Sequence, residues 1–183
     1  MDYDANLRTI TTNRLQLRLF QQADAQEVQR LCHNKQLYQN TLHLPFPYKL
    51  KDAKEWIKHH KENFQKGRLF EMAVTDKENG CLYGAIALSY KSHANNGELA
   101  YWIGEEYWGN GYATEAGEAI LEFAFQVKLY HRVYALSFDT NPGSKRVLEK
   151  IGMKQEGVLR EHVKKDEQYK DLVYFGMLKG SKS

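Results

Sequence analysis

Gly109 and Gly111 stand one residue apart in "YWGNGYATEAGEAILEFAF" (Tyr107 to Phe125), just before an apolar pattern with helical spacing. A glycine pair is by itself an ordinary tight-turn signal. Here a strand-like stretch, "GELAYWIG", feeds the turn and a helix leaves it, and that context has a chemistry. The N–H groups of a first helical turn have no partner within the helix, and the macrodipole adds positive potential at the same place. Glycine lets an anion approach the backbone closely, so Gly109 to Thr114 can cradle a pyrophosphate. No Gly-Lys-Ser/Thr follows, which excludes a Walker loop, and the third glycine and early position of a Rossmann fingerprint are missing. Coenzyme A is the remaining large class of ligand that puts a pyrophosphate in such a turn.

A second constellation lies in "NPGSKRVLEKIG". Asn141 caps a short helix, Pro142 takes its first position and Gly152 falls past its end. Ser144, three residues after Asn141, shares its helix face. As an ordinary N-terminal helix residue, this serine satisfies backbone groups. Glu98 begins the strand before the glycine turn. Glu161 and His162 are neighbours on a late strand and face opposite sides, so at most one of them points into a common site. Tyr101, Trp102, Tyr107, Trp108 and Tyr112 form an aromatic group suited to packing core and cleft walls. It lacks the interleaved basic residues of a nucleic-acid stacking platform. His33, His43, His59, His93 and His131 show no metal-like spacing, and no metal site is expected. His60 falls on an apolar helix stripe as a core-edge residue.

These residues need elements to position them. "RLQLRLF" alternates as a first strand, and Ala25, Val28, Leu31 and Cys32 share one helical face. Tyr38 to Leu50, with two prolines, reads as an aromatic-rich loop. "KDAKEWIKHHKENFQKG" reads as one helix with Asp52 at its cap and Glu55 answering it, a stripe of Ala53, Trp56, Ile57, His60 and Phe64, and Gly67 as its stop. Three strands follow ("RLFEMAVTD", "CLYGAIALSY", "GELAYWIG"), the first two joined by an Asn-Gly hairpin signal. The helix from about Ala113 turns Ala116, Ile120, Phe123, Ala124 and Val127 inward. "HRVYALSFD" is a buried strand, and "EGVLREHVKK" with "YKDLVYFGML" forms a closing pair. Strand, two helices, three strands, helix, strand, helix and two strands make an α+β, or mixed α/β, sheet domain.

The 183 residues fit one domain with a full core. A net charge of +3, with Lys and Arg spread along the chain, is too mild to imply nucleic acid. Cys32 and Cys81 suit thiols in a reducing compartment. The start carries no signal-peptide pattern and no apolar run reaches ~18 residues, so the expected location is cytoplasmic, without a membrane span.

The chain resembles the GCN5-related N-acetyltransferases (GNAT), and within them the RimJ/RimL type of ribosomal-protein N-acetyltransferase. "TNRLQLRLFQQADAQEV", "GELAYWIGEEYWGNGYATEA", "NPGSKRVLEKIGMKQEGVLRE" and "YKDLVYFGML" carry the resemblance across nearly the whole chain. It implies a single acetyltransferase domain over 1–183, with a mostly antiparallel twisted sheet splayed between the fourth and fifth strands of the reading above. Acetyl-CoA would lie in that opening. Gly109, Asn110, Gly111, Tyr112, Ala113 and Thr114 would form the pyrophosphate loop, with Trp108 where many relatives have Gln or Arg. Asn141 would grip the pantetheine arm, and Ile103 and Gly104 would lie near a strand bulge whose amide faces the thioester carbonyl.

Acetyl transfer needs a neutral amine, a preorganised donor for the thioester oxygen and a proton donor for the leaving thiolate. No metal is required. The resemblance assigns Ser144 to the thiolate. Many relatives instead use a tyrosine seven residues after the Asn, a position that is Leu148 here. Glu98 and Glu161 are the candidate bases, beside a water chain, because the glutamate proposed in RimL-like enzymes maps to Val163. The expected acceptor is the α-amino group of a protein, of the ribosomal-protein type, acetylated directly in a ternary complex. A small amine (a polyamine or antibiotic) and a non-catalytic acyl-CoA-binding module are the rivals. Tyr38 to Tyr48, expected near the acceptor, is apolar and carries no acid, which leans toward a peptide. Its apolar face and a possible sheet edge allow a homodimer or higher homo-oligomer.

Overall fold

The computed structural model describes residues 1–6, 8–91 and 94–181; His93 lies outside them. Nine strands form one sheet: β1 (Asp2–Asp4), β2 (Thr9–Thr11), β3 (Leu15–Leu19), β4 (Leu69–Asp76), β5 (Leu82–Lys91), β6 (Asn96–Ile103), β7 (Arg132–Phe138), β8 (Lys154–Lys165) and β9 (Gln168–Leu178). Their order is β1-β2-β3-β4-β5-β6-β7-β9-β8, and every pairing but β6–β7 is antiparallel. The α-helices among the described residues are α1 (Ala25–Cys32), α2 (Lys35–Asn40), α3 (Leu50–Ile57), α4 (His60–Gln65), α5 (Tyr112–Glu122) and α6 (Pro142–Lys150).

Strand alternation builds a core on each face of the sheet. Phe70, Met72, Val74, Ile86 and Leu88 pack with Ala116, Ile120 and Leu148 of α5 and α6. Ala73 and Ala85 point the other way, toward Val28 and Leu31 of α1 and Ala53 and Ile57 of α3. The second face carries small residues near its centre: the register aligns Glu71, Ala87 and Ala100 in one row and Ala73, Ala85 and Trp102 in the next. A sheet floored by alanines leaves room above it.

The β6–β7 pairing is short. Asn96–Leu99 lie against Arg132–Ala135, after which β6 runs on to Ile103 and β7 to Phe138 without each other. This is the splay expected between the fourth and fifth strands of the sequence reading. The Gly104 amide donates to the Tyr83 carbonyl at 2.9 Å, so Gly104 faces β5. Backbone groups alternate along a strand, so the amides of Tyr101 and Ile103 face the gap.

Several local expectations are corrected. The loop expected from Tyr38 contains the end of α2, capped by Asn34, whose Oδ1 accepts from the Leu37 amide at 2.8 Å. The single helix over residues 51–67 is two. Ile57 packs on the α1 side of the sheet while Phe64 meets Phe70 edge-on at 5.0 Å in the opposite core, and one straight helix cannot serve both. Asp52 is not the cap: it accepts from the Lys49 amide at 2.8 Å, so it is the answering residue in the third position. Val127 is exposed rather than inward, because a π-helical turn at Phe123–Val127 adds a residue per turn and rotates it off the face. The short strands β1 and β2 extend the sheet at its first edge beyond the strands expected.

Candidate active site

The glycine loop has the geometry its sequence requires. Gly109 and Gly111 adopt φ of 79° and 80°, a left-handed conformation strained for any residue with a side chain. Gly111 is the N-cap of α5 and no side chain caps that helix. The first-turn amides of Tyr112, Ala113 and Thr114 therefore have no capping partner among the described residues. A Cβ on Gly109 would meet nothing within 4 Å, so its surroundings are open. Asn110 turns inward instead, donating to the carbonyls of Tyr107 and Trp108 at 3.1 and 3.2 Å and shaping the turn.

The loop is braced from outside. Arg14 donates to the Asn110 carbonyl at 3.0 Å and to Glu115 at 2.7 Å, and its guanidinium lies 4.9 Å from the centre of the Tyr112 ring. Tyr112 stacks on Tyr83 at 4.2 Å. Trp108 donates its indole N–H to the Ile103 carbonyl at 2.6 Å, tying the end of β6 to the loop. Thus Trp108 acts on the loop through the strand, and Arg14, which the sequence reading passed over, supplies the cation beside it.

Asn141 caps α6, its Oδ1 accepting from the Ser144 amide at 3.0 Å. Its NH2 has no protein partner among the described residues and can still donate to a ligand. Ser144 Oγ lies 2.9 Å from the hydroxyl of Tyr101. Burial pushes the Tyr101 phenol up to about 12, with the Ser144 hydrogen bond opposing the shift. Leu148 closes the usual tyrosine route, but a tyrosine reaches this serine from β6. The odd-numbered alternation of β6 is the signal that pairs Tyr101 with the Leu99 and Ile103 face rather than with Trp102.

A cleft of about 1480 Å³ runs past these groups, and Glu98, Tyr101, Ile103, Trp108, Gly109, Ala113, Asn141 and Ser144 line it. Gly111 and Thr114 face a separate hollow with Arg14 and Lys150 on the far side of the loop. The Glu98 carboxylate accepts from the Tyr134 hydroxyl at 3.0 Å and pairs with Lys91 at 3.0 Å. Glu161 does not join the site. It sits at φ 49° in an irregular stretch where β8 slips register between Leu159 and Val163, exposed and outside the cleft lining, its amide donating to Asp171 at 2.7 Å. Strict alternation of Glu161 and His162 fails there because the bulge inserts residues into β8.

The far end of the cleft is closed by the β8–β9 turn. Lys165 reaches the Thr41 carbonyl and lies 3.9 Å from the centre of the Tyr38 ring, while the Tyr38 hydroxyl donates to Asp166. Thr41 to Pro45 and Tyr48 line the wall as expected, but the wall is not free of acids: Asp52, Glu55, Glu71, Glu98 and Asp166 reach it from other elements.

A splayed sheet, an open amide loop at a helix start and a hydroxyl pair between β6 and α6 frame the candidate site. The family model for the acetyltransferase (GNAT) domain matches residues 14–154, and the chain belongs to this family. It is 31% identical over 170 residues to the uncharacterized N-acetyltransferase YnaD of Bacillus subtilis (strain 168), covering 92% of this chain and 96% of that protein. Its fold matches RimL, a ribosomal L7/L12 α-N-protein acetyltransferase solved with coenzyme A, with a TM-score of 0.85 at 14% identity over 93% of this chain and 97% of that one. It also matches the ribosomal-protein-S5-alanine acetyltransferase of Vibrio fischeri, with a TM-score of 0.83 at 18% identity over 94% and 97%. The protein is a GNAT N-acetyltransferase with the mixed α/β fold of that family. No helix among the described residues is long and apolar enough to cross a membrane.

Proposed function

We propose that this acetyltransferase acetylates the N-terminal α-amino group of a protein, of the ribosomal-protein type, by direct transfer in a ternary complex. The observation that carries the reading is the Tyr101–Ser144 hydroxyl pair, 2.9 Å apart, set beside the splay and lining a cleft that continues past Thr41 to Pro45 and Tyr48. Bound acetyl-CoA would supply the activated acyl group. The loop amides of residues 112–114 fit its pyrophosphate, with Gly109 and Gly111 clearing the approach. The NH2 of Asn141 fits an amide of its pantetheine arm.

The chain's own groups then have distinct work. Ile103 and Tyr101 offer amide donors in the gap, where a preorganised N–H stabilises negative charge on an oxygen. Ser144 holds a proton at Oγ, replenished along the Tyr101 hydroxyl. Glu98 is the remaining candidate base among the two carboxylates considered; it lines the cleft, directly or through water, whereas Glu161 is withdrawn by its position. Gly104 keeps a structural part, its amide bound to β5.

A second reading is a small polycationic amine, and the acids on the cleft wall favour it. Thiol release from acetyl-CoA against N-terminal peptides of ribosomal proteins, polyamines and amine antibiotics, with cofactor binding followed by calorimetry, separates the readings. Turnover on a peptide α-amine is the expected result. Turnover on small amines alone moves the protein to the second reading, and tight cofactor binding with no turnover on any acceptor supports a binding module.

A further inference from the structure

The alanine floor of the second sheet face makes a trough between two carboxylates. Glu71 on β4, Ala87 on β5 and Ala100 on β6 stand in one row, and Glu98 lies one row away on β6. Trp56 and Trp102 wall the trough, their ring centres 6.2 Å apart.

The acids of this cleft are not equivalent. Asp52 serves the start of α3, Glu55 pairs with Lys58 at 3.3 Å, Glu98 with Lys91, and Asp166 takes the Tyr38 hydroxyl. Glu71 has no Lys or Arg within ion-pair reach among the described residues. Behind it stands His60, 1% exposed, its Nε2 3.1 Å from Glu71 Oε2 but off the hydrogen-bonding angle. Neither ring nitrogen of His60 has a hydrogen-bond partner among the described residues. Trp56 hydrogen-bonds the Glu71 carboxylate, but a largely buried carboxylate with no Lys or Arg beside it, backed by a fully buried imidazole with unmet hydrogen bonds, remains costly unless something completes it. The open side of Glu71 faces the cleft, and the indole rings beside it favour a cation.

We propose that Glu71, with Trp56 and Trp102, forms a subsite for a second positively charged group of the acceptor, an ammonium or guanidinium distinct from the amine that is acetylated. The proposal rests on the reading of this cleft as the acceptor half. β4 lies two strands from β6, so the second charge sits on the order of 10 Å from the strand that borders the splay, the span of about three extended residues. The subsite selects for acceptors carrying a cation at that spacing, whether a basic side chain near a peptide's start or the far end of a linear diamine.

The test compares acceptors matched except for that charge: octylamine with 1,8-diaminooctane, and a tripeptide amide with norleucine or lysine third. Each is titrated calorimetrically into the CoA-loaded protein, and each is also assayed for turnover. Wild type is expected to prefer the dicationic member of each pair by about tenfold or more, and Glu71→Gln to bring that ratio close to one. Glu71→Asp, which keeps the charge, should retain part of the preference and serves as the second variant if the amide folds poorly. The same ratio in wild type and Glu71→Gln, or no preference in wild type, overturns the subsite. Because binding is read separately from turnover, a preserved binding preference with no acetylation would overturn the proposed acceptor reaction and leave the subsite standing.

Discussion

The hydroxyls of Tyr101 and Ser144 meet at 2.9 Å across the gap between β6 and α6, joining the strand that exposes its amides to the helix that Asn141 caps. If this pair delivers a proton to the leaving thiolate, Ser144→Ala and Tyr101→Phe should each lower kcat by about 10²-fold or less, with acetyl-CoA affinity unchanged. Residues acting as a unit are not additive, so the double variant should fall little further than the worse single one. Because Tyr101 keeps its proton up to about pH 12, loss of this tyrosine's proton should not produce an alkaline limb in the wild-type profile below pH 10. Steady-state kinetics across pH for the four proteins checks all three statements, and full additivity would break the pairing.

Gly111→Asp combines two penalties. The residue holds φ of 80°, which costs a side-chain-bearing residue roughly 1 kcal/mol, and the new carboxylate stands where the anion site requires positive potential. Calorimetry should find no acetyl-CoA binding, while Gly111→Ala, carrying the strain without the charge, should bind more weakly but measurably. Unchanged titration in the aspartate variant would sink the loop assignment.

The glycine turn and the Asn141-capped helix were legible in the sequence because their signals are local. A glycine turn between strand and helix, and Asn-Pro-Gly-Ser at a helix start, are set by backbone rules within a few residues. Tyr101, Arg14 and Glu71 were not legible, since each matters through a partner 43, 96 or 11 positions away that only the sheet brings near. Glu161 was misread for the opposite reason: alternation is a local rule, and the slip in β8 between Leu159 and Val163 suspends it. Tyr38 to Tyr48 carries no acid of its own, and the acids of this cleft wall arrive from α3, β4, β6 and the β8–β9 turn.

Arg14 keeps a carboxylate from spoiling the anion site. Glu115 lies in the first turn of α5; burial would raise its carboxyl, but hydrogen bonds from Thr12 and Arg14 hold it below the ordinary carboxylate value. Arg14→Ala leaves that charge facing the loop and frees the Asn110 carbonyl, so acetyl-CoA affinity should drop about tenfold. Adding Glu115→Gln should restore part of it. A calorimetric series on the single and double variants reads the effect directly, and equal affinity in all of them would assign Arg14 no part in the loop.

Glu71 also makes stability depend on pH in a direction fixed by its burial. Desolvation pushes its carboxyl up to about 7 from the ordinary 4.5, with Trp56 opposing the shift. Between those values the Glu71 carboxyl binds more protons in the folded state than in the unfolded one, so its contribution to stability falls as pH rises through this window and stays lower above it. His60, pushed down to about 4 by burial, has the opposite sign over nearly the same window, losing stability as pH falls from 6.5, and it does so in both proteins, so the Glu71 effect is read as the difference between them. Glu71→Gln removes the first penalty, worth at most about 3 kcal/mol for such a shift, so the variant should melt several degrees above wild type at pH 8 and close to it at pH 4. A cation seated at Glu71 would cancel the same penalty from outside. Saturating 1,8-diaminooctane should therefore raise the wild-type Tm at pH 8 and leave that of Glu71→Gln unmoved, and melting curves with equal shifts in both proteins would place the diamine elsewhere.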